Sequence, residues 1–187
     1  VSHKGDVINK SGKVAGDSVS LVSHKGNVIN ETQFKTLSAT SRNGVGQFTE
    51  VGKQASIQAR DKLDIRAAKN IASRAASISG NGVTLNAGES VVLESKAERH
   101  GYGIGTQKLS RKETTRQWVS TLDSDGALHI TAGENIALKA LQLNAQADVE
   151  MKAGKDVEIT AQSNQQSGLT TLGYWRHQRT SDSTQNV

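Results

Sequence analysis

The glycines at positions 101, 103 and 105 are the first candidates for chemistry, because closely spaced glycines can wrap backbone N–H groups around a phosphate. The dinucleotide-binding fingerprint also requires glycine at the position of Thr106 and a helix directly afterwards. The sequence provides neither. The segment therefore predicts a flexible glycine hairpin, and we expect no bound cofactor.

Histidines are the second candidates, since the chain has five of them and no cysteine. His3 and His24 occupy the same phase of a repeat, so their rings are expected to stack on one outer face. His129 alternates with Leu128 and Ile130 and is expected to face solvent. Two imidazoles do not complete a metal site, which needs three or four ligands. We predict no metal centre.

Pairs of acidic residues raise the possibility of a polysaccharide-cleaving enzyme, which needs two carboxylates about 5–10 Å apart in a groove. The pairs are Asp61/Asp64, Asp123/Asp125 and Asp156/Glu158. The stretch from Asp123 to Gly126 is typical of a tight turn, and no nucleophile-plus-base motif accompanies the pairs. We assign no catalytic residue and predict that the chain is not an enzyme; a polysaccharide lyase or hydrolase is the alternative.

Basic and aromatic side chains form the fourth group. Residues 95–118 hold six Lys/Arg against two Glu, whereas residues 119–162 hold three Lys against seven Asp/Glu. Such local asymmetry indicates a contact surface for an acidic partner, not a nucleic-acid-binding domain. The candidate contacts are Arg99, Tyr102, Lys108, Arg111, Lys112, Arg116, Trp118, Tyr174 and Trp175. Capping of an open hydrophobic column is the other interpretation of these aromatics.

The elements that position these residues follow from an internal repeat. Val1-Ser2-His3-Lys4-Gly5 recurs 21 residues later as Val22-Ser23-His24-Lys25-Gly26. A second motif begins at Ala15, Ala87, Ala132 and Ala153. It consists of an Ala-Gly pair, then two polar residues, then two apolar residues with one residue between them. Apolar residues that alternate over three to five positions predict short strands with one buried face.

A period of about 21 residues with two or three short strands predicts one coil of a parallel β-helix. Strands of successive coils then stack about 4.8 Å apart, and columns of Val, Ile and Leu form the core. Leu85, Leu93, Ile136, Leu138, Val157 and Ile159 are predicted to be buried, and Ala137 to face outward. The fold class is therefore all-β, a right-handed parallel β-helix. No run reaches the roughly 20 apolar residues of a membrane span.

Three segments break the period and are expected to form polar excursions from the coils. They lie near residues 31–50, 97–122 and 163–187. The last parallels the second, because Ile159-x-Ala161-x-Ser163 follows Leu93-x-Ser95 at a distance of 66 residues. We predict one β-helix segment over residues 1–187, taken from a larger protein.

The Ala-Gly coils, with excursions that open after Ser95 and Ser163, resemble the second class of filamentous haemagglutinin repeats. The resemblance covers essentially the whole chain and implies a secreted stalk at the outer surface of a bacterium. It implies export through an outer-membrane transporter barrel and a role in adhesion or in contact-dependent toxin delivery. The implied partners are a cell-surface receptor or an acidic glycan or lipopolysaccharide.

Overall fold

The computed structural model describes residues 1–41, 44–104, 110–161, 163–170, 179–180 and 183–186, with side chains outside 104–112 and 162–187. These residues contain strands and turns and no helix, so no helix in this part of the chain could cross a membrane. The chain forms two compact units. The coil unit comprises residues 1–33, 52–96 and 119–161, and the hairpin unit comprises residues 34–51, 97–118 and 162–187.

The coil unit is a parallel β-helix whose coils each contribute one strand to three sheets. The first sheet contains β1 (Val7–Lys10), β4 (Val28–Glu31), β9 (Ile71–Arg74), β12 (Val91–Glu94), β17 (Ile136–Lys139) and β20 (Val157–Thr160). The second contains β2 (Lys13–Gly16), β7 (Ser56–Ala59), β10 (Ser77–Gly80), β15 (Ser120–Ser124) and β18 (Leu141–Ala145). The third contains β3 (Val19–Ser23), β8 (Lys62–Ala67), β11 (Gly82–Ala87), β16 (Leu128–Ala132) and β19 (Val149–Ala153). The predicted all-β solenoid is confirmed.

The hairpin unit contains a fourth sheet that is built from the segments between the coils. Its strands are β5 (Phe34–Ser41), β6 (Gly44–Val51), β13 (Lys96–Ile104), β14 (Ser110–Trp118), β21 (Ser163–Thr170), β22 (Arg179–Thr180) and β23 (Ser183–Asn186). They follow the order β22-β21-β14-β13-β6-β5, and β23 also pairs with β21. Leu122, which the sequence placed in the second excursion, is instead fully buried in β15 of the coil unit.

Stacked aliphatic side chains form the core of the coil unit. Leu85, Leu93, Ile136 and Leu138 are at most 2% exposed, as their strand phase predicts. The prediction is wrong for Val157 and Ile159, which are 48% and 69% exposed. Both lie on β20, the last strand of the first sheet, and no further coil covers them in the described structure. Burial in a stacked array depends on the neighbouring coil as well as on the strand's own pattern.

Close stacking of backbone explains the glycine of the Ala-Gly motif. A Cβ at Gly133 would overlap the carbonyl oxygen of Gly88 in the preceding coil, and a Cβ at Gly154 would overlap that of Gly133. Gly88 meets the carbonyl of Ala68 in the same way. Glycine is therefore required at these three positions because one coil passes directly over another, and not because the chain needs a left-handed conformation there. At Gly16, by contrast, an added Cβ would meet nothing closer than 3.4 Å.

The corner between the first and second sheets takes two forms, which alternate from coil to coil. In the first, third and fifth coils a single left-handed residue makes the corner: Ser11, Ala75 and Ala140, with φ of 49°, 49° and 50°. In the second and fourth coils the same corner opens into the hairpin unit, after β4 and after β12, and the chain does so again after β20.

Two buried hydroxyls hold the corner at Ala75. Thr32 donates a hydrogen bond to the Ala75 carbonyl and accepts one from the Ala55 backbone N–H. Ser120 donates to the Glu94 carbonyl at 2.7 Å and accepts from the Ala76 N–H at 3.2 Å. Thr32 lies just before the first excursion and Ser120 just after the second. The two coils next to Ala75 therefore supply hydrogen-bond partners for the backbone groups at its corner.

Candidate functional site

The hairpin unit is the candidate site, because it holds the aromatic residues Phe34, Phe48, Tyr102 and Trp118. β5 and β6 form an antiparallel hairpin, β6 pairs antiparallel with β13, and β14 pairs antiparallel with β21. Each excursion therefore contributes strands to one continuous sheet. Residues directly opposite each other in such a sheet share a face.

One face of this sheet carries apolar and aromatic side chains. Leu37 lies opposite Phe48, which lies opposite His100, and in the next row of that face Gly46 lies opposite Tyr102. Leu37, Phe48 and Tyr102 are 42%, 45% and 46% exposed. We call Leu37, Phe48, His100 and Tyr102 the aromatic face.

Phe48 is held in place within the aromatic face. Its ring lies 6.2 Å from the ring of His100, tilted by 56°. It also leans over Gly46, where an added Cβ would come within 2.9 Å of the ring. A large apolar side chain that is both positioned and exposed on a sheet face is typical of a contact residue.

Glu98 links the ring of His100 on β13 to the ring of Trp118 on β14. Its carboxylate receives the indole N–H of Trp118 through one oxygen and contacts His100 Nε2 through the other, each at 2.5 Å. Burial raises the pKa of Glu98. The hydrogen bonds from Trp118 and His100 and the charges of His100 and Arg116 outweigh this effect, so the pKa lies below its usual value.

Trp118 is restrained on two further sides. The ring of Phe34 meets it edge to face at 6.5 Å, and the guanidinium of Arg116 lies 5.4 Å from its centroid. Cation–π contacts of this kind contribute about 0.5–1 kcal/mol at exposed sites. Trp118 is therefore part of an ordered cluster, and Arg116 remains exposed beside it.

The structure groups only some of the residues predicted from sequence. Tyr102 lies on the aromatic face, and Arg116 and Trp118 form the neighbouring cluster on β14. Arg99 is exposed but lies opposite Thr49, in a row that belongs to the other face of the sheet. The backbone of Arg111 and Lys112 pairs with β21, and their side chains lie outside the described residues, as do Lys108, Tyr174 and Trp175.

Leu37, Phe34, Phe48, Glu98 and His100 were missed as site residues. A signal for the two phenylalanines was present, since both lie in a segment that breaks the repeat, as Tyr102 and Trp118 do. Gly101 and Gly103 were expected in a hairpin turn but lie within β13, opposite Gln47 and Val45.

The acidic pairs mostly serve the contacts within and between coils. Asp123 accepts a hydrogen bond from Asn144 and Asp125 one from Gln146, each 21 residues further on. Asp64 forms an ion pair with Arg66. These partners give the carboxylates a structural role on the surface of the coil unit.

The histidines follow the repeat. His3 and His24 stack with centroids 5.2 Å apart and an interplanar angle of 9°, as predicted. His129 is exposed, also as predicted, and contacts Glu150 in the next coil. Within the part of the chain that is described, no three His, Asp or Glu side chains come together as a metal site would require.

Comparison with known proteins identifies the class of this architecture. A family model described as "Hemagglutinin repeat" matches residues 101–172, which begin within β13 of the hairpin unit. The match and the relatives below show that the chain is a repeat region of the filamentous haemagglutinin type. Proteins of this class are secreted and exposed at the cell surface, and this region is accordingly assigned there.

Two relatives are both called "tRNA nuclease CdiA". The protein from Escherichia coli strain STEC_O31 is 30% identical over 171 residues, which is 86% of this chain and 5% of that protein. The protein from Yersinia mollaretii is 27% identical over 120 residues, 59% of this chain and 4% of that protein. The chain thus spans about one twentieth of their length. No solved structure matches the chain.

Proposed function

We propose that this region is a non-enzymatic stalk segment of a secreted surface protein that acts in adhesion or in contact-dependent toxin delivery. In this proposal the coil unit is the scaffold and the hairpin unit makes the contacts. An outer-membrane transporter barrel exports the protein, and the partner is a cell-surface receptor, acidic glycan or lipopolysaccharide. The nuclease activity in the relatives' name is assigned to those whole proteins and is not part of the proposal for this segment.

The exposed aromatic face is the observation that carries the proposal. Leu37, Phe48 and Tyr102 lie on one face of one sheet, although a soluble β-protein usually buries such side chains or scatters them singly. Aromatic residues dominate the binding energy of protein contacts because each removes a large apolar area from water.

Charge supports an acidic partner. Arg116 is exposed on β14 beside Trp118, and Lys108, Arg111 and Lys112 belong to the same basic stretch of sequence. Arg99 is also exposed, and it adds positive charge on the other face of the sheet. Contacts of exposed charges weaken as salt rises, because the Debye length is about 8 Å at physiological ionic strength. Binding through this segment is expected to combine a salt-sensitive part with an apolar part that salt does not remove.

The test is binding of the fluorescently labelled chain to intact target bacteria across a range of salt concentrations. The double variant Phe48→Ser, Tyr102→Ser is expected to weaken binding at least about tenfold, since each truncated anchor typically costs more than 1 kcal/mol. Ile8→Ser is the matched control, because Ile8 is 50% exposed but lies on β1 of the coil unit.

Equal binding by the parent, the double variant and the control would contradict the assignment of contacts to the aromatic face. Equal loss in the double variant and in Ile8→Ser would indicate nonspecific adsorption. Far-ultraviolet circular dichroism of each variant verifies that the sheets remain folded.

A further inference from the structure

The repeated segment Ser-His-Lys-Gly is a feature of the coil unit that the proposed function leaves unused. It occurs at residues 2–5 and again at residues 23–26, each time just before a strand of the first sheet. A parallel bridge joins Ser2 to Ser23, so the two copies lie one over the other in adjacent coils. We call these two segments the paired loops.

Hydrogen bonds fix the shape of the paired loops. In the first loop Ser2 Oγ accepts the N–H of Gly5 at 3.2 Å, and in the second Ser23 Oγ accepts the N–H of Gly26 at 2.9 Å. Ser23 also donates to the Gly5 carbonyl at 2.8 Å, which ties one loop to the other. A Cβ at Gly26 would come within 2.8 Å of the backbone of Gly5, so the loops are in close contact. Their backbone is therefore ordered without a ligand.

The histidine and lysine side chains of the paired loops are directed to solvent. His3, Lys4, His24 and Lys25 are all exposed. Because β4 pairs with β1 on one side and with β9 on the other, the exposure of His24 and Lys25 is at the side of the β-helix. The two imidazole rings are 5.2 Å apart and parallel to within 9°, so equivalent edges of the two rings lie side by side.

The lysines of the paired loops stack like charge on like charge. Lys25 occupies the position in its coil that Lys4 occupies in the coil before, and neither forms an ion pair with a described residue. Like charges directly opposite each other are destabilising. Other lysines of the coil unit instead meet a carboxylate of the adjacent coil, in the pairs Lys10–Glu31, Lys139–Glu158 and Lys155–Glu134.

A third lysine extends this basic row. The backbone N–H of Lys69 donates to the Gly26 carbonyl at 3.1 Å, and the residue is exposed. The carboxylate that follows the first loop, Asp6, already accepts the backbone and side-chain N–H groups of Asn27 at 2.7 and 3.1 Å. Three lysines therefore stand against one carboxylate that is engaged elsewhere.

We propose that the paired loops bind a phosphomonoester group carried by a surface glycan. Such a group has a charge of about −1.5 to −2 near pH 7, so it offsets the repulsion between Lys4 and Lys25 better than a singly charged ester does. Its oxygens accept hydrogen bonds from ammonium and imidazole N–H groups. Adjacent coils lie about 4.8 Å apart, which allows one phosphate group to contact both loops. The site uses no residue of the aromatic face and does not depend on the contacts proposed there.

Nuclear magnetic resonance of the full 187-residue chain, with its histidine rings labelled, tests the proposal. The probe is glucose 6-phosphate. The ring signals of His3 and His24 are expected to shift together and to saturate, whereas the signal of His129, which is exposed on β16, is expected to stay unchanged. His3→Phe and His24→Phe chains assign the two signals, and unphosphorylated glucose is expected to shift neither.

Paired lysine variants test the charge argument. Lys4→Gln combined with Lys25→Gln is expected to weaken binding at least about tenfold, because it removes two charge-assisted contacts and keeps both histidines. Lys13→Gln combined with Lys62→Gln is the matched control, since both lysines are exposed in the coil unit and the loss of charge is the same. The control is expected to bind within about twofold of the parent, because distant exposed charges are screened by salt.

Three results would overturn the proposal: no saturable shift in the parent, an equal shift at His129, or equal weakening in the two double variants. Inorganic phosphate and glucose 6-sulfate identify the group that is bound. Tighter binding of inorganic phosphate than of glucose 6-phosphate would contradict a glycan-borne group, and equal binding of the sulfate would contradict the charge argument. All these variants leave the aromatic face unchanged, so this site and the proposed function can fail separately.

Discussion

The side chain of Ser73 makes a quantitative test of the β-helix core possible. It is 1% exposed on β9, and its hydroxyl is the one buried side-chain polar atom without a hydrogen-bond partner among the described residues. Asn30 lies beside it in the preceding coil and Leu93 in the following one, so the inward column changes from polar to apolar at Ser73.

Ser73→Ala is expected to stabilise the chain. A buried hydroxyl without a partner costs about 1–3 kcal/mol, and its removal leaves a space of only one atom, so a net gain of about 1 kcal/mol follows. Ser120→Ala is the matched control of opposite sign, since Ser120 is equally buried but holds the Glu94 carbonyl and the Ala76 N–H. Its loss is expected to cost about 1–3 kcal/mol.

Urea unfolding followed by far-ultraviolet circular dichroism measures both changes. With a slope of about 1–3 kcal/mol per molar urea, a change of 1 kcal/mol moves the midpoint by roughly 0.3–1 M, provided that the slope is unchanged. The midpoint is expected to rise for Ser73→Ala and to fall for Ser120→Ala. A fall in both variants would refute the reasoning, because it would mean that the hydroxyl of Ser73 is satisfied in solution.

Three further changes test the packing and the electrostatics. Gly133→Ala is expected to cost more than about 2 kcal/mol in urea unfolding, because the added methyl overlaps a backbone carbonyl, whereas Gly5→Ala, with open space around it, is expected to be nearly neutral. Leu138→Asp is expected to cost several kcal/mol and Ala137→Asp about 0.5 kcal/mol or less; equal costs would show that the strand phase is wrong. The pKa of Glu98 is lowered in the folded state, so its contribution to stability is present above its ordinary value of 4.5 and is lost as pH falls through the lower folded value. Melting temperatures from pH 7 to pH 3 are expected to fall less in Glu98→Gln than in the parent, and identical profiles would contradict the assignment.

The coil unit is the part of the fold that the sequence predicts best, because stacking repeats the same local pattern at a fixed spacing. Alternation at Leu85 and Leu138 indicates the strand and its inward face, and the Ala-Gly pairs at Ala87, Ala132 and Ala153 indicate the register. The pair at Ala15 is out of register with them, because it lies on β2 of the second sheet. Ile159 shows the limit of that argument: its pattern is the same, but its burial depends on a coil that must lie next to it.

The hairpin unit was predicted less well for a different reason. Its strands pair across about 50 residues, as Phe48 does with His100, and no periodic spacing in the sequence reports such a contact. The polar composition of these segments indicates excursions, but not that they form one sheet. Tyr102 and Trp118 were found because aromatic residues are rare in this chain, while Glu98 gave no sequence signal because its role depends on the two rings it joins.

The alternating corner has a consequence for how such a region can change in length. The left-handed corner at Ala75 takes hydrogen-bond partners from Thr32 and Ser120, in the coils before and after it. Loss or duplication of a single coil would place two openings, or two left-handed corners, in succession, and such a corner would lose one of these partners. Viable insertions and deletions are therefore expected to come as whole pairs of coils. The pair, which is 63 residues from Val28 to Val91 and 66 from Val91 to Val157, is then the unit on which gene duplication acts.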